Sequence, residues 1–131
     1  MKRTALKKQS KQPISKIQRL LWEECRRIIK QRYGNVCYTC GATNLTSSTW
    51  QIGHLFAKAS LGAFLKYDLR VLRPQCFRCN IHFGGAGATF IENMRKRDGD
   101  SYVDAILLDR QKTVKAYDWY EQLLLRYREI K

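Results

Sequence analysis

Four of the five cysteines form two Cys-x-x-Cys pairs, a spacing that lets both thiolates of one turn reach a single metal ion. The pairs are Cys37 with Cys40 in the sequence CYTC, and Cys76 with Cys79 in CFRC. Together they could supply four sulfur ligands to one tetrahedral zinc ion with a structural role. A thioredoxin-like redox pair is the alternative for either motif alone, but no βαβ pattern surrounds them. The sequence therefore predicts a closed structural Zn²⁺ site.

The insert between the two pairs indicates more than a simple zinc ribbon. It holds 35 residues, well beyond the roughly 15–20 of an ordinary ribbon. It contains His54, and the only other histidine, His82, follows Cys79 by three residues. Two histidines tied to one zinc scaffold indicate a catalytic site. Cys25, which belongs to neither pair, falls on a helical apolar stripe and is predicted to be a buried, unreactive residue.

Four short motifs follow one another through the central segment: CYTCG, WQIGHL, KYD and PQCFRCNIHFGG. In this combination the chain resembles the HNH or His-Me finger nuclease module, and more closely the phage NinG (Rap) recombination nucleases. The resemblance covers about residues 30–98. Two positions depart from the pattern. Val71 stands where the family usually has asparagine, and Gly53 replaces the acidic metal ligand of many HNH enzymes, as it does in the NinG group.

The resemblance implies the fold class and the activity. The fold would be α+β, with a small zinc-stabilised ββα-metal (HNH) core flanked by N-terminal and C-terminal α-helices. The activity would be that of a metal-dependent DNA endonuclease on branched or single-strand-containing recombination intermediates, of the Holliday-junction or D-loop type. Two alternatives stay open: an HNH nicking endonuclease on ordinary duplex DNA, and a non-catalytic zinc module that binds nucleic acid.

The resemblance also implies roles for individual residues. His54 would be the general base, because a neutral imidazole with a pKa near ~6.5 can accept a proton at physiological pH. Asn80 and His82 would ligate a catalytic Mg²⁺ or Mn²⁺ ion. Asp68 would orient His54 or add a metal ligand, and an ordinary ion pair with Arg70 or Lys66 is its equal alternative. The alternative for His54 is a packed or zinc-bound histidine. The alternative for Asn80 is a helix cap, and that for His82 is a phosphate or structural contact.

The charge of the chain favours a polyanionic partner. Lysine and arginine number 25 against 11 acidic residues, for a net charge of +14. Residues 1–34 carry +9 of this, residues 35–87 carry +4 and residues 88–131 carry +1. DNA, RNA or an anionic membrane could bind a chain with such a charge. The zinc-type spacing favours DNA. The residues predicted to bind DNA are Arg26, Arg27, Lys30, Lys58, Lys66, Arg70, Arg73 and Arg78.

The elements that must position these residues divide the chain into four parts. Residues 1–12 are a basic arm that we expect to be mobile, and 13–34 a basic amphipathic helix that begins at Pro13 and Ser15. Residues 35–98 are the zinc-bound nuclease core, with short strands at 49–52 and 69–72 and a helix at 88–97. Residues 99–131 hold helices at 101–110 and 113–129. A capping box of Ser101 and Asp104 is predicted to begin the first of these two helices.

The last helix carries an apolar stripe that includes Val114, Tyr117, Tyr120, Leu124 and Tyr127. This stripe could form a homodimer contact or pack on the core, so residues 99–131 are read as a scaffold or dimerisation segment. A recombination protein is a further candidate partner. No apolar run reaches the ~20 residues that span a bilayer, and the basic N-terminus lacks the apolar region of a secretory signal. We therefore expect no membrane partner and a cytoplasmic location, that of the host cell if a phage encodes the chain.

Overall fold

The computed structural model describes residues 12–131, so the predicted basic arm at 1–12 lies almost entirely outside the described residues. The chain is a mixture of helices and one two-stranded sheet, which confirms the α+β class. Within this range no helix combines the length and the apolar character needed to cross a membrane. The elements are α1 (Ile14–Tyr33), β1 (Trp50–His54), α2 (Ala63–Lys66), β2 (Leu72–Cys76), α3 (Gly87–Asp98), α4 (Asp100–Asp109) and α5 (Ala116–Arg128).

Helix α1 forms where its apolar spacing predicts. Residues three and four apart share a helix face, and the face that is buried consists of Ile17, Leu21, Cys25, Ile28 and Ile29. The helix stops at Gly34, whose φ of 70° is a left-handed value that glycine adopts without steric cost. The predicted helix and its buried stripe are therefore confirmed.

Helix α5 packs against α1, and this placement decides the role of its apolar stripe. Tyr120, Leu124 and Tyr127 are all buried. The hydroxyl of Tyr127 donates to the backbone oxygen of Tyr67 at 2.8 Å, and Arg27 donates to the backbone oxygen of Tyr127 at 2.9 Å. These three residues of the stripe thus pack in the core, as the second of the two alternatives expected, and a homodimer stays a prediction. The C-terminal segment shares one core with α1.

The two strands pair antiparallel, with Trp50 opposite Cys76 and His54 opposite Leu72. Strand β1 lies close to its prediction, whereas β2 begins three residues later than predicted. The cause is Asp68, whose side chain accepts the backbone N–H of Arg70 at 2.9 Å and starts a 3₁₀ turn over Leu69–Val71. Pro74 lies inside β2 and not after it, because an edge strand has positions that donate no ladder hydrogen bond.

The start of α4 also differs from its prediction. The helix begins at Asp100 with Gly99 as its cap, and no side-chain hydrogen bond caps it. Gly99 has a φ of 99°, so it makes the sharp turn that separates α3 from α4. The carboxylate of Asp104 accepts from Arg95 at 3.2 Å. The predicted capping box of Ser101 and Asp104 is therefore wrong.

Arg73 is a structural residue and is fully buried. Its guanidinium donates to the backbone oxygen of Leu72 at 2.7 Å, and to Asp98 and the hydroxyl of Tyr102 at 3.3 Å each. It also lies 4.6 Å from the centre of the Tyr33 ring. Arg73 thus joins the end of α1 to α3 and α4. The prediction that it contacts DNA phosphate is wrong, because a phosphate group cannot reach a buried guanidinium.

Gly53 is required by a neighbouring strand residue. A Cβ atom at position 53 would lie 1.9 Å from Oε1 of Gln75. The Gln75 side chain is buried, and its amide nitrogen donates to Oγ1 of Thr39 at 2.6 Å and to the backbone oxygen of Gly85 at 2.8 Å. Gln75 therefore ties the first cysteine turn to the loop before α3, and it occupies the space that an acidic side chain at position 53 would need.

We expect Gly53→Ala to destabilise the protein by about 1–3 kcal/mol, the usual cost of overpacking a core. The displaced Gln75 would also lose its two buried hydrogen bonds, which adds about 1 kcal/mol for each bond. Urea denaturation measures the loss. Gly87→Ala is the matched control, because a Cβ there meets nothing within 4 Å and lies in a helix. Equal stability of the two variants would contradict the proposed role of Gly53.

Candidate functional site

The four paired cysteines come together as one cluster. Their sulfur atoms all lie within 4.8 Å of one another, and Sγ of Cys40 lies 3.8 Å from Sγ of Cys76. A tetrahedral zinc ion with Zn–S bonds of about 2.3 Å requires sulfurs roughly 3.8 Å apart. The set has no oxygen or nitrogen ligand and leaves no open position, as a structural site requires. The cluster that the spacing predicted is therefore formed, and its geometry is compatible with structural zinc.

Backbone amides support the cluster from both turns. The N–H of Cys40 points at Sγ of Cys37, and the N–H of Cys79 at Sγ of Cys76, both at 3.5 Å. Burial opposes ionisation of Cys37, yet backbone hydrogen bonds lower its pKa to about 7. The pKa of Cys79 is raised, by burial first and then by hydrogen bonds with the other thiols. Because only the thiolate binds zinc, binding of the ion must release protons from the cluster.

The first cysteine turn is tied to the sheet. The backbone N–H of Tyr38 donates to the backbone oxygen of Pro74 at 2.8 Å. In the second cysteine turn, the backbone N–H of Phe77 donates to the backbone oxygen of Thr49 at 3.1 Å, just before β1. The cluster therefore joins the segment after α1 to the far end of β2. Strand β1 pairs with β2, so the cluster also fixes the strand that ends in His54.

His54 is held by two contacts from outside the sheet. Its ring is parallel to the indole of Trp22 on α1, with centroids 5.5 Å apart and planes inclined by 3°. Its Nε2 lies 3.1 Å from the backbone oxygen of Lys66, at the end of α2. A carbonyl oxygen only accepts hydrogen bonds, so in the neutral ring Nε2 carries the proton and Nδ1 carries the free lone pair. The orientation and the tautomer of His54 are both fixed.

The surroundings of His54 keep its ring uncharged. Burial lowers its pKa to about 4, and the charges of Lys58 and Lys66 act in the same direction against the opposing effect of the Lys66 carbonyl. At pH 7 the imidazole is therefore neutral and can accept a proton at Nδ1. This is the protonation state that a general base needs before reaction.

His54 lines a cleft of about 770 Å³. Trp22, Lys58, Asn80 and the loop of Gly84 and Gly85 also line this cleft. Helix α3 starts at this loop, so its N-terminal N–H groups and positive dipole end are available to an anion. A cleft of this size can hold a nucleotide-sized group.

Asn80 and His82 lie on opposite sides of one short turn. Both belong to the π-helical turn Arg78–His82, and residues two apart on a helical turn do not face each other. Asn80 lines the cleft with His54, whereas His82 lines a separate depression and contacts the edge of the Phe77 ring at 5.6 Å. The structure thus does not form the predicted two-residue ligand set for a catalytic ion.

The Asn80 side chain is fixed by strand β1. Its amide nitrogen donates to Oε1 of Gln51 at 2.6 Å, so the carbonyl oxygen is the atom that it can offer to a cation. Asp68 is held elsewhere: its carboxylate makes an ion pair of 2.8 Å with Arg70, and Asp109 pairs with the same guanidinium at 2.8 Å. Of the alternatives predicted for Asp68, the structure shows the ion pair with Arg70.

The predicted DNA-binding residues differ in availability. Lys58 lies over Trp22 at 4.9 Å beside the cleft, and Lys66 is close enough to His54 to affect its pKa. On the surface of α1, Arg26 and Lys30 lie over the Trp50 ring at 5.2 and 5.0 Å. Arg78 lies over Phe83 at 5.4 Å. Arg27 and Arg70 are engaged in ion pairs with Glu24 and with the two aspartates.

Two residues at the cleft were missed by the sequence reasoning. Trp22 stacks on His54, although its position on α1 is beside the buried stripe and carries no motif. Arg110 lies over the ring of Phe56, a cleft residue, at 4.1 Å. It comes from the near-neutral C-terminal third, which was predicted to be scaffold. Its exposure and its place just after α4 are signals too general to have singled it out.

Comparisons with known proteins identify the family. A family model described as "Bacteriophage Lambda NinG protein" matches residues 1–130. The chain is 32% identical over 76 residues to Protein ninG of Salmonella phage P22, a match that covers 58% of this chain and 36% of that protein. The chain therefore spans little more than a third of the length of this relative. No solved structure matches the chain. Because the family model spans almost the whole sequence, the chain belongs to the NinG family.

Proposed function

We propose that the chain is a metal-dependent DNA endonuclease of the HNH type, with a ββα-metal core built on the zinc cluster. The observation that carries this proposal is His54, a neutral imidazole of fixed tautomer on an open cleft in a strongly basic chain. Its hydrogen bond to Lys66 presents a free Nδ1, and its low pKa keeps that atom unprotonated. An unprotonated ring nitrogen with a free lone pair and a fixed orientation is what activation of a water molecule requires.

In the proposed reaction, His54 takes a proton from a water molecule, and the water oxygen attacks phosphorus as the bond to the 3′ oxygen breaks. Trp22 and the Lys66 carbonyl hold the imidazole in place. Lys58, together with the N-terminus of α3, binds phosphate oxygens. The amide oxygen of Asn80 would hold a Mg²⁺ or Mn²⁺ ion together with phosphate oxygens and water, the kind of shell that Mg²⁺ prefers. When bound, such an ion offsets charge on the phosphate and the leaving oxygen.

The substrate that we propose is branched or single-strand-containing DNA, as the resemblance to recombination nucleases implies. The test is cleavage of a four-way junction, a flap, a single strand and a linear duplex at equal concentration. The divalent ion should be omitted in the control rather than chelated, so that the zinc stays in place. We expect cleavage only with Mg²⁺ or Mn²⁺, and faster for the branched substrates. Equal rates on linear duplex would favour a general nicking enzyme, and no cleavage with either ion would favour a non-catalytic module.

The placement of Asn80 and His82 gives a prediction that separates them. Asn80→Ala should lower the cleavage rate at saturating DNA by roughly 10–100-fold, because it removes a ligand group from the cleft. His82→Ala should keep that rate within about threefold, since its ring faces a different depression. Single-turnover kinetics measures both. An equal loss in the two variants would show that His82 belongs to the catalytic site after all.

The low pKa of His54 predicts a broad pH range of activity. The pKa of the free enzyme appears in kcat/KM, and a base with a pKa of about 4 stays unprotonated throughout the range from pH 8 to 5.5. We therefore expect protonation of His54 to change kcat/KM by less than about twofold between pH 8 and pH 5.5. A histidine with the ordinary pKa of ~6.5 would retain only about a tenth of its base form at pH 5.5, and such a fall would contradict the assignment.

A further inference from the structure

The segment after β2 exposes three large apolar side chains within seven residues. Phe77 is 42% exposed, Ile81 53% and Phe83 56%. Among the described residues only eight large apolar side chains are this exposed, so three of the eight stand together beside the zinc cluster. Clustered apolar exposure on a folded protein indicates an interaction site, whereas single exposed residues do not.

Two of these rings line the depression that also holds His82. It measures about 700 Å³ and lies between the loop of Thr43–Leu45 and the segment that follows Cys76. The guanidinium of Arg78 lies over the Phe83 ring at 5.4 Å, and Phe77 meets His82 edge-on at 5.6 Å. The depression therefore offers flat aromatic faces next to a cation.

The charge around the depression indicates which kind of partner could bind there. Of the described residues that line it, none is acidic. The only acidic residue between positions 35 and 87 is Asp68, which is paired with Arg70 at 2.8 Å. Aromatic faces beside arginine, in a segment that carries +4, suit an anionic chain with flat bases. Bases inside a duplex are already stacked and paired, so the fitting ligand is an unpaired strand.

The depression and the cleft share one structural element. Asn80 lines the cleft with His54, whereas Phe77, Arg78, His82 and Phe83 line the depression on the other side of the same turn. A strand that leaves the cleft across this turn would meet the two rings within a few nucleotides. We propose that Phe77 and Phe83 stack on unpaired bases of branched DNA and so select such DNA over linear duplex. This proposal rests on the proposed function, which supplies the DNA in the cleft.

The test compares DNA binding by the full zinc-loaded chain, measured by fluorescence anisotropy without Mg²⁺ or Mn²⁺. The variant Phe77→Ala/Phe83→Ala should bind a flap and a single strand at least about tenfold more weakly, since stacking on aromatic rings supplies much of such binding. Its affinity for linear duplex should stay within about twofold. The matched control is Leu108→Ala/Leu125→Ala, which removes two apolar side chains that are 77% and 66% exposed on other helices. Phe83→Tyr, which keeps an aromatic face, should bind the flap as the wild type does.

A second measurement reports stacking directly. The fluorescent base 2-aminopurine, placed in the unpaired arm of the flap, should be quenched on binding by the wild type and the control variant but not by the double alanine variant. Equal flap binding and equal quenching by all the variants would overturn the proposal. Such a result would favour a protein as the partner that binds the exposed rings.

The two proposals can fail separately. If the wild type prefers flap DNA and loses this preference in the double variant but never cleaves DNA, the stacking role stands and the nuclease proposal falls. If the wild type cleaves branched DNA and the double variant binds and cleaves it equally well, the nuclease proposal stands and the stacking role falls.

Discussion

Replacement of His54 with alanine should lower the rate of DNA cleavage by at least ~100-fold, which is the usual loss when a general base is removed. The binding of DNA should be largely kept, because the phosphate contacts that we propose for Lys58 and α3 do not involve the imidazole. Cleavage is measured under single-turnover conditions with Mg²⁺, and binding by anisotropy without it. A variant that cleaves as fast as the wild type would show that the base has been assigned wrongly.

Two controls separate loss of chemistry from loss of structure. Zinc content should be unchanged in His54→Ala, because the ring does not belong to the cysteine cluster. Loss of the Trp22 and Lys66 contacts should lower the unfolding midpoint only modestly, so that the variant stays folded at the assay temperature. Free imidazole added to this variant can enter the space beside Trp22 and should restore part of the activity. Restoration by imidazole is not expected for Asn80→Ala, whose defect lies in the binding of the divalent ion.

Replacement of Cys76 with serine should remove the zinc and unfold the centre of the protein. Structural zinc contributes to folding directly, by about 10–16 kcal/mol in zinc-finger peptides at pH 7, which exceeds the whole stability of most domains. Cys76 is also the last residue of β2 and pairs with Trp50, so loss of the cluster releases both strands. Elemental analysis and circular dichroism measure the two effects.

Cys25→Ser is the matched control for the zinc prediction. The thiol of Cys25 lies on α1 and contacts the backbone oxygen of Tyr67 at 3.8 Å. Burial, with the negative charges of Glu24 and Asp68, raises its pKa to about 12, so it stays a neutral thiol. Its replacement should leave one zinc ion per chain. A soluble, folded wild type without zinc, or a Cys76→Ser variant that keeps its zinc and its fold, would contradict the scaffold role.

Much of the secondary structure could be predicted because it depends on short-range spacing. The buried face of α1 could be predicted, since its apolar residues repeat at three and four positions. Helices α3 and α4 end within one residue of their predicted bounds, and α5 within three. Strand β2 was displaced because a side chain to backbone bond of Asp68 competes with extended backbone, and the sequence pattern did not favour either conformation.

Whether a basic residue is buried or exposed could not be predicted from its residue type. Arg73 and Lys58 are both basic and both lie in the +4 segment, yet one is buried against Asp98 and Tyr102 and the other lies at the cleft. Which of them is exposed to a partner such as DNA depends on the packing of α3 and α4 around β2. That packing involves residues about 25 or more positions away in the sequence.

The sequence by itself determined the four-cysteine cluster and the buried face of α1. Each Cys-x-x-Cys pair is a local unit whose two thiolates converge whatever surrounds them, and a helix face is set by a period of 3.6 residues. Only the tertiary structure decided that His54 and Asn80 share a cleft while His82 does not. His54 owes its orientation to Trp22 from α1, and Asn80 owes its place to a π-helical turn paired with Gln51 of β1. Contacts between segments so far apart arise only when the helices pack around the two-stranded sheet, and no spacing within the chain encodes them.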